Sequence, residues 1–117
     1  MITIKERSRE FTKVEEYLMT VAPSIISMKD VEDGTVIPVD GTILFLDTKE
    51  DGDENEILSI ITPDKTVYSL QSQTFKRSLT DILNIMGDNP FSIIKISGKT
   101  NAGRDFINCI LDVNSVK

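Results

Sequence analysis

Ser72-Gln73-Thr74-Phe75-Lys76-Arg77-Ser78-Leu79-Thr80-Asp81-Ile82-Leu83-Asn84-Ile85-Met86-Gly87 is the stretch on which the fold turns. Phe75, Leu79, Ile82, Leu83 and Met86 fall at i, i+4, i+7, i+8 and i+11, an apolar stripe of α-helical period. Ser72 or Thr74 can cap its start, since a hydroxyl there accepts from an unpaired amide of the first turn. Gly87 can supply the left-handed residue at its end. Ser78-Leu79-Thr80-Asp81 also has capping-box-like spacing, so a later first turn stays open.

What flanks this helix decides the topology. Before it, Thr35–Thr48 reads as one long strand interrupted by Pro38 and Gly41, the glycine marking a sharp bend. Glu56–Thr62 is a second strand, Pro63-Asp64-Lys65 a tight turn, and Thr66–Gln71 a third strand. After it, beyond Asp88-Asn89-Pro90, come Phe91–Ser97 and Phe106–Val113, joined by Gly98-Lys99-Thr100-Asn101-Ala102-Gly103, a loop of turn formers. At the other end, Phe11, Val14, Leu18 and Val21 repeat at helical spacing and predict a helix over the first 22 residues, ended by Pro23. Ser24–Met28 is a short apolar run of undefined state, and residues 29–34 form a turn-rich connection.

Three strands, a helix, then a hairpin is the order of an OB-fold, a five-stranded Greek-key barrel with a helix between its third and fourth strands. An SH3-like barrel lacks that helix, and a ferredoxin-like fold needs one after its first strand. The expected organisation is one domain over residues 1–117, with residues 1–23 a helical extension and residues 24–117 the barrel.

The chain has 117 residues, 39% of them hydrophobic, with 13 basic and 19 acidic side chains for a formal net charge of −6. No apolar run approaches the roughly 18 residues that span a bilayer. The first seven residues have no apolar h-region and read as mature cytosolic sequence. The charge is uneven. Residues 47–56 carry six acids and one lysine, and are expected to form a solvated loop outside any polyanion's path. Residues 65–77 hold Lys65, Lys76 and Arg77 with no acid, and residues 89–117 hold Lys95, Lys99, Arg104 and Lys117 against Asp105 and Asp112. An acidic protein can thus still present a basic stripe.

Catalytic templates fare poorly. There is no histidine to activate a nucleophile, and the single cysteine, Cys109, lies in an apolar strand where it packs as a small hydrophobe. Gly98-Lys99-Thr100 matches only the end of a P-loop: position 93 is Ile93 where the pattern requires glycine, and a strand follows rather than a helix. Asp47, Asp51 and Asp53 suggest a calcium loop, but Lys49 and Leu58 occupy ligand positions of the EF-hand register. No catalytic residue, metal or cofactor is expected.

Cations and aromatics make the remaining constellation. Lys65, Tyr68 and Gln71 lie together around the third strand, and Lys95, Lys99, Arg104 and Phe106 around the final hairpin. Period-two alternation places Arg104, Phe106, Asn108 and Ile110 opposite Asp105, Ile107, Cys109 and Leu111. A face with a cation, a ring and an amide suits a single strand, whose bases stack on rings while its phosphates meet cations. The same Phe106 and Ile110 equally suit packing against the N-terminal helix or another subunit.

Ser27–Val113, above all Phe91-Ser92-Ile93-Ile94-Lys95-Ile96-Ser97-Gly98-Lys99-Thr100-Asn101-Ala102-Gly103-Arg104-Asp105-Phe106-Ile107-Asn108-Cys109-Ile110-Leu111-Asp112, resembles the single-stranded DNA-binding proteins of lactococcal bacteriophages, as does Ile4–Phe11. The resemblance implies an OB-fold that binds single-stranded DNA without sequence preference in phage replication or recombination. It also implies self-association, in the cytoplasm of the infected bacterial host. Phe106 and Ile110, together with the stripe Phe11, Val14, Leu18 and Val21, offer more apolar surface than a monomer usually exposes, so a homodimer or homotetramer is expected. The acidic C-terminal tail of bacterial cellular homologues is missing from Val113-Asn114-Ser115-Val116-Lys117, so recruitment of replication or recombination partners by that route is not expected. The rival reading is a protein–protein adaptor on the same scaffold, and a weaker one an enzyme acting on nucleic acid.

Overall fold

Ile57-Leu58-Ser59-Ile60-Ile61 is apolar at four of five consecutive positions, the pattern of a strand covered on both faces. The computed structural model of the protein, which describes residues 1–116, places this run in the middle of a five-stranded sheet. In chain order the strands are β1 (Ile2–Arg7), β2 (Ile26–Ser27), β3 (Val36–Val39), β4 (Gly41–Thr48), β5 (Glu54–Ile61), β6 (Val67–Leu70), β7 (Phe91–Lys99) and β8 (Asp105–Leu111). The helices are α1 (Lys13–Thr20) between β1 and β2, and α2 (Gln73–Met86) between β6 and β7. One sheet has the order β1-β4-β5-β6-β2 and the other β3-β7-β8. Among the described residues, only the β2–β6 pair is parallel.

Two apolar cores lie on opposite faces of the larger sheet. On one face Leu58, Ile60 and Leu70 pack with Phe75, Leu79 and Met86 of α2 and with Ile37, Phe91, Ile93 and Cys109 of the smaller sheet. On the other, Ile43, Phe45, Ile61 and Val67 pack under Met19 of α1. Ser59, the polar exception in the run, is fully buried and donates its hydroxyl to the Met19 carbonyl, so it leaves no orphan group. The stripe of α2 is the buried one, with Phe75 and Leu79 wholly enclosed.

The long strand expected over Thr35–Thr48 is broken at Asp40 into β3 and β4, which belong to different sheets. Gly41 permits this bend: a Cβ there would lie 2.6 Å from the Phe11 ring, so only glycine lets that ring close over the corner. The architecture is mainly β, with two helices and two sheets in an OB-like arrangement. The barrel is not closed, because the two sheets share no ladder.

Residues 1–22 differ most from their helical reading. Ile2–Arg7 forms an edge strand against β4, and only Lys13–Thr20 is α-helical. Ile2 and Ile4 alternate inward onto the core under α1, which is a strand's period and not a helix's. Thr12 and Glu15 close a capping box, with the Glu15 amide donating to Thr12 Oγ1 at 3.1 Å and the Thr12 amide to Glu15 Oε1 at 2.9 Å. The buried face of α1 carries Met19, with Leu18 and Phe11 beside it. Val14 and Val21 point to solvent at 68% and 55% exposure. The undefined run Ser24–Met28 contains β2, the opposite edge of the same sheet, followed by a 3-10 turn at Met28–Asp30. The N-terminal residues thus supply both edges of the larger sheet.

Candidate functional site

The β7–β8 hairpin pairs Lys99 with Asp105, Gly98 with Phe106, Ile96 with Asn108 and Ile94 with Ile110. Its tip is closed by the Thr100 amide donating to the Arg104 carbonyl at 2.8 Å and the Arg104 amide to Thr100 Oγ1 at 3.1 Å, with Gly103 at φ +80°. Gly98-Lys99-Thr100 therefore ends a strand and opens a turn, which no phosphate-binding helix follows. Phe106 lies across Gly98, where a Cβ would meet its Cζ at 2.6 Å. Without that glycine the ring could not lie down on the strand. Phe106 stays half-buried, on the outer face with Asn108 and the exposed Ile110. Cys109 faces inward at 2% exposure, and burial pushes its thiol up to about 12, which makes it inert at neutral pH.

The predicted contact residues separate into groups. Lys99 and Arg104 are exposed on the hairpin, Lys99 beside Asp105 at 3.1 Å. Gln71 is exposed, one residue from Ser72, whose hydroxyl donates to the Ile107 carbonyl at 3.2 Å and so brings this loop against β8. Lys95, expected to be exposed, is not. It is 3% exposed, with Nζ donating to the Val31 carbonyl at 2.6 Å and paired with Asp33 at 3.1 Å. Strand alternation makes the reason plain, since Lys95 opposes Cys109 on the inward face. Tyr68 is half-buried against the core beneath α2. Lys65 lies at the far end of β6 and gives its ammonium to Glu15 of α1 at 2.8 Å. The basic stretch 65–77 is no stripe either: Lys76 is buried against Glu56, and Arg77 points outward. Lys117 lies outside the described residues.

Among the described residues, Lys29, Lys49, Arg77 and Arg104 have no carboxylate within ion-pair distance. Lys29 is the one that sequence reasoning passed over. It lines a cleft of about 580 Å³ with Ser72, Lys95, Ser97, Gly98, Asp105, Phe106 and Ile107, where the 3-10 turn meets the hairpin; Asp105, the carboxylate of that lining, is paired with Lys99 at 3.1 Å. A lysine in a turn-rich connection carries no local signal of this meeting.

A larger groove, about 990 Å³, runs between the β1–β4 edge, α2 and the start of β7. Its Arg7, Arg9 and Lys76 are committed to Glu16, to Glu15 and Asp40, and to Glu56 respectively. That leaves Arg77 facing Glu6, Asp81 and Asp88, a balance that repels phosphate. The hairpin and its cleft are the better polyanion surface. The acidic tip between β4 and β5 belongs to the other sheet. No helix among the described residues is long and apolar enough to cross a membrane.

In comparisons with known proteins, a family model described as Phage Single-stranded DNA-binding protein matches residues 13–112. None of the curated proteins and none of the solved structures compared matches the chain.

Proposed function

This chain belongs to the phage single-stranded DNA-binding protein family, and from that premise we propose that it coats single-stranded DNA without reading its sequence. The setting is phage DNA replication or recombination in the cytoplasm of the infected bacterium, alongside the phage proteins of those processes, and the likeness to lactococcal phage proteins is the narrower form of the same reading. The family match over residues 13–112 carries it. The β7–β8 hairpin supports it by combining exposed cations with a ring laid on a strand. In this reading Lys99 and Arg104 meet phosphates, Phe106 stacks on a base and Gln71 borders the path; no reaction is catalysed on the strand. Lys65 and Lys95 are left out of the contact set because their ammonium groups hold elements of the fold together, through Glu15 and through Val31 and Asp33. Tyr68 is left out because its side chain packs against the core; the Lys99–Asp105 pair, by contrast, lies in the open on the hairpin.

The adaptor reading keeps one observation in its favour. The outer face of the β3-β7-β8 sheet is apolar, with Val36 at 50% and Ile110 at 47% exposure. We assign that face to self-association as a homodimer or homotetramer, which accommodates both observations. Anisotropy titration of labelled oligo(dT) against duplex of equal length, across a salt series, tests the function. Single strands should bind more tightly, with affinity falling as salt rises, because phosphate contacts release counterions and stacking needs unpaired bases. Equal affinity for duplex at matched salt would defeat the proposal.

A further inference from the structure

Lys29 follows Met28, which is 0% exposed and roots the 3-10 turn in the core. The rest of that connection is strapped onto β7. Lys95 Nζ donates to the Val31 carbonyl at 2.6 Å and pairs with Asp33 at 3.1 Å, while Ser97 Oγ donates to the same Asp33 oxygen at 2.6 Å. Two backbone bonds, Gly34 amide to Lys95 carbonyl at 2.8 Å and Lys95 amide to Thr35 carbonyl at 3.0 Å, complete the attachment. A buried ammonium is costly unless paired and hydrogen-bonded, and an apolar side chain would fill the same space more cheaply. What an apolar side chain could not do is hold Val31 and Asp33 in place.

The outcome is a connection fixed beside the hairpin, with Lys29 exposed and lining the cleft that Ser97, Ser72, Phe106 and Asp105 also line, the Asp105 charge being balanced by Lys99 at 3.1 Å. An unrestrained lysine loses much freedom when it meets a phosphate, and anchoring its backbone removes part of that loss beforehand. We propose that Lys29 is a phosphate-contacting residue of the single-strand interface and that Asp33, Lys95 and Ser97 form the clamp that positions it, an inference resting on the single-stranded DNA reading above. Asp33 therefore assists the binding of a polyanion although its own charge opposes it.

That opposition of sign gives the test. Labelled oligo(dT) is titrated over a salt series against the full chain and the variants Lys29→Gln, Asp33→Ala, Ser97→Ala and the double variant K29Q/D33A, each first checked by thermal unfolding. Lys29→Gln should bind about three- to tenfold more weakly at low salt, with a log–log salt slope shallower by about 0.7, one phosphate contact on a single strand. Removing a negative charge beside a polyanion tightens binding on electrostatic grounds alone. The clamp predicts the reverse: Asp33→Ala weakens it, and the double variant binds no worse than Lys29→Gln. Ser97→Ala, which changes no charge, should weaken binding in the same direction. Wild-type slope in Lys29→Gln, or tighter binding by Asp33→Ala, overturns the inference while leaving the family reading intact. A wild-type protein that does not bind oligo(dT) overturns both.

Discussion

Glu15 concentrates more interactions than any other carboxylate described here. Its side chain accepts from Arg9 at 3.0 Å, from Lys65 at 2.8 Å and from the Thr12 amide at 2.9 Å. The Arg9 bond first, then that from Lys65, holds its carboxyl far below the ordinary 4.5. A carboxylate whose pKa is depressed on folding contributes stability that is present above its unfolded value and lost as pH falls through the folded one. Glu15→Gln should therefore melt below wild type at pH 7, and the gap should narrow as pH drops beneath the carboxylate range. Melting curves that keep the same gap into strong acid would contradict this. Residue-level signals for the cluster were partly present in the sequence. Thr12-Lys13-Val14-Glu15 has the capping-box spacing that marks the start of α1. Nothing local, however, announces that Lys65, fifty positions on, spends its ammonium on Glu15.

At the scale of elements, α2 and β8 pack in one core and are hydrogen-bonded through the side chain of Ser72. Ser72 Oγ accepts from the Phe75 amide at 3.2 Å as the helix cap and donates to the Ile107 carbonyl at 3.2 Å. The two roles are compatible because a hydroxyl has one proton and two lone pairs. Ser72→Ala should cost about 1–2 kcal/mol, the loss of a cap plus a hydrogen bond, seen as a lower urea midpoint at unchanged slope. Ser72→Thr, which keeps the hydroxyl, should recover most of it. Equal midpoints for Ser72→Ala and wild type would mean that water replaces both bonds. The helical stripe of α2 and the alternation along β8 were both readable from sequence, because each follows from the periodicity of one element. Their junction was not.

For the whole molecule, the outer face of the smaller sheet is the surface we assign to self-association. Val36, Ile94 and Ile110 sit side by side there in the β3–β7–β8 register, with Ile96 further along. Contiguous exposed apolar surface of this kind marks contact sites more often than bare solvent. Light scattering at micromolar concentration should return two or four times the 13.1 kDa chain mass. Val36→Glu with Ile110→Glu should return a single chain without loss of fold. A wild-type mass of 13.1 kDa throughout removes self-association from the reading.

Sequence alone determined the parts whose geometry is set within a few residues. The stripe Phe75 to Met86 requires a helix with one buried face, the turn formers up to Gly103 a hairpin (though Gly98 and Lys99, read as loop, extend β7), and Gly41 a bend. Period-two alternation along β8 likewise separates Cys109 from Ile110. Tertiary structure decided the rest. β1 and β2 become strands because the larger sheet has two edges to pair, not because their residues insist on it. Lys76 and Lys95 turn inward because Glu56 and Asp33, far away in sequence, arrive beside them. Which cations remain for a phosphate is therefore a property of long-range pairing and burial, and composition cannot state it: a charge counts toward binding only where the fold leaves it exposed and not tied into the core.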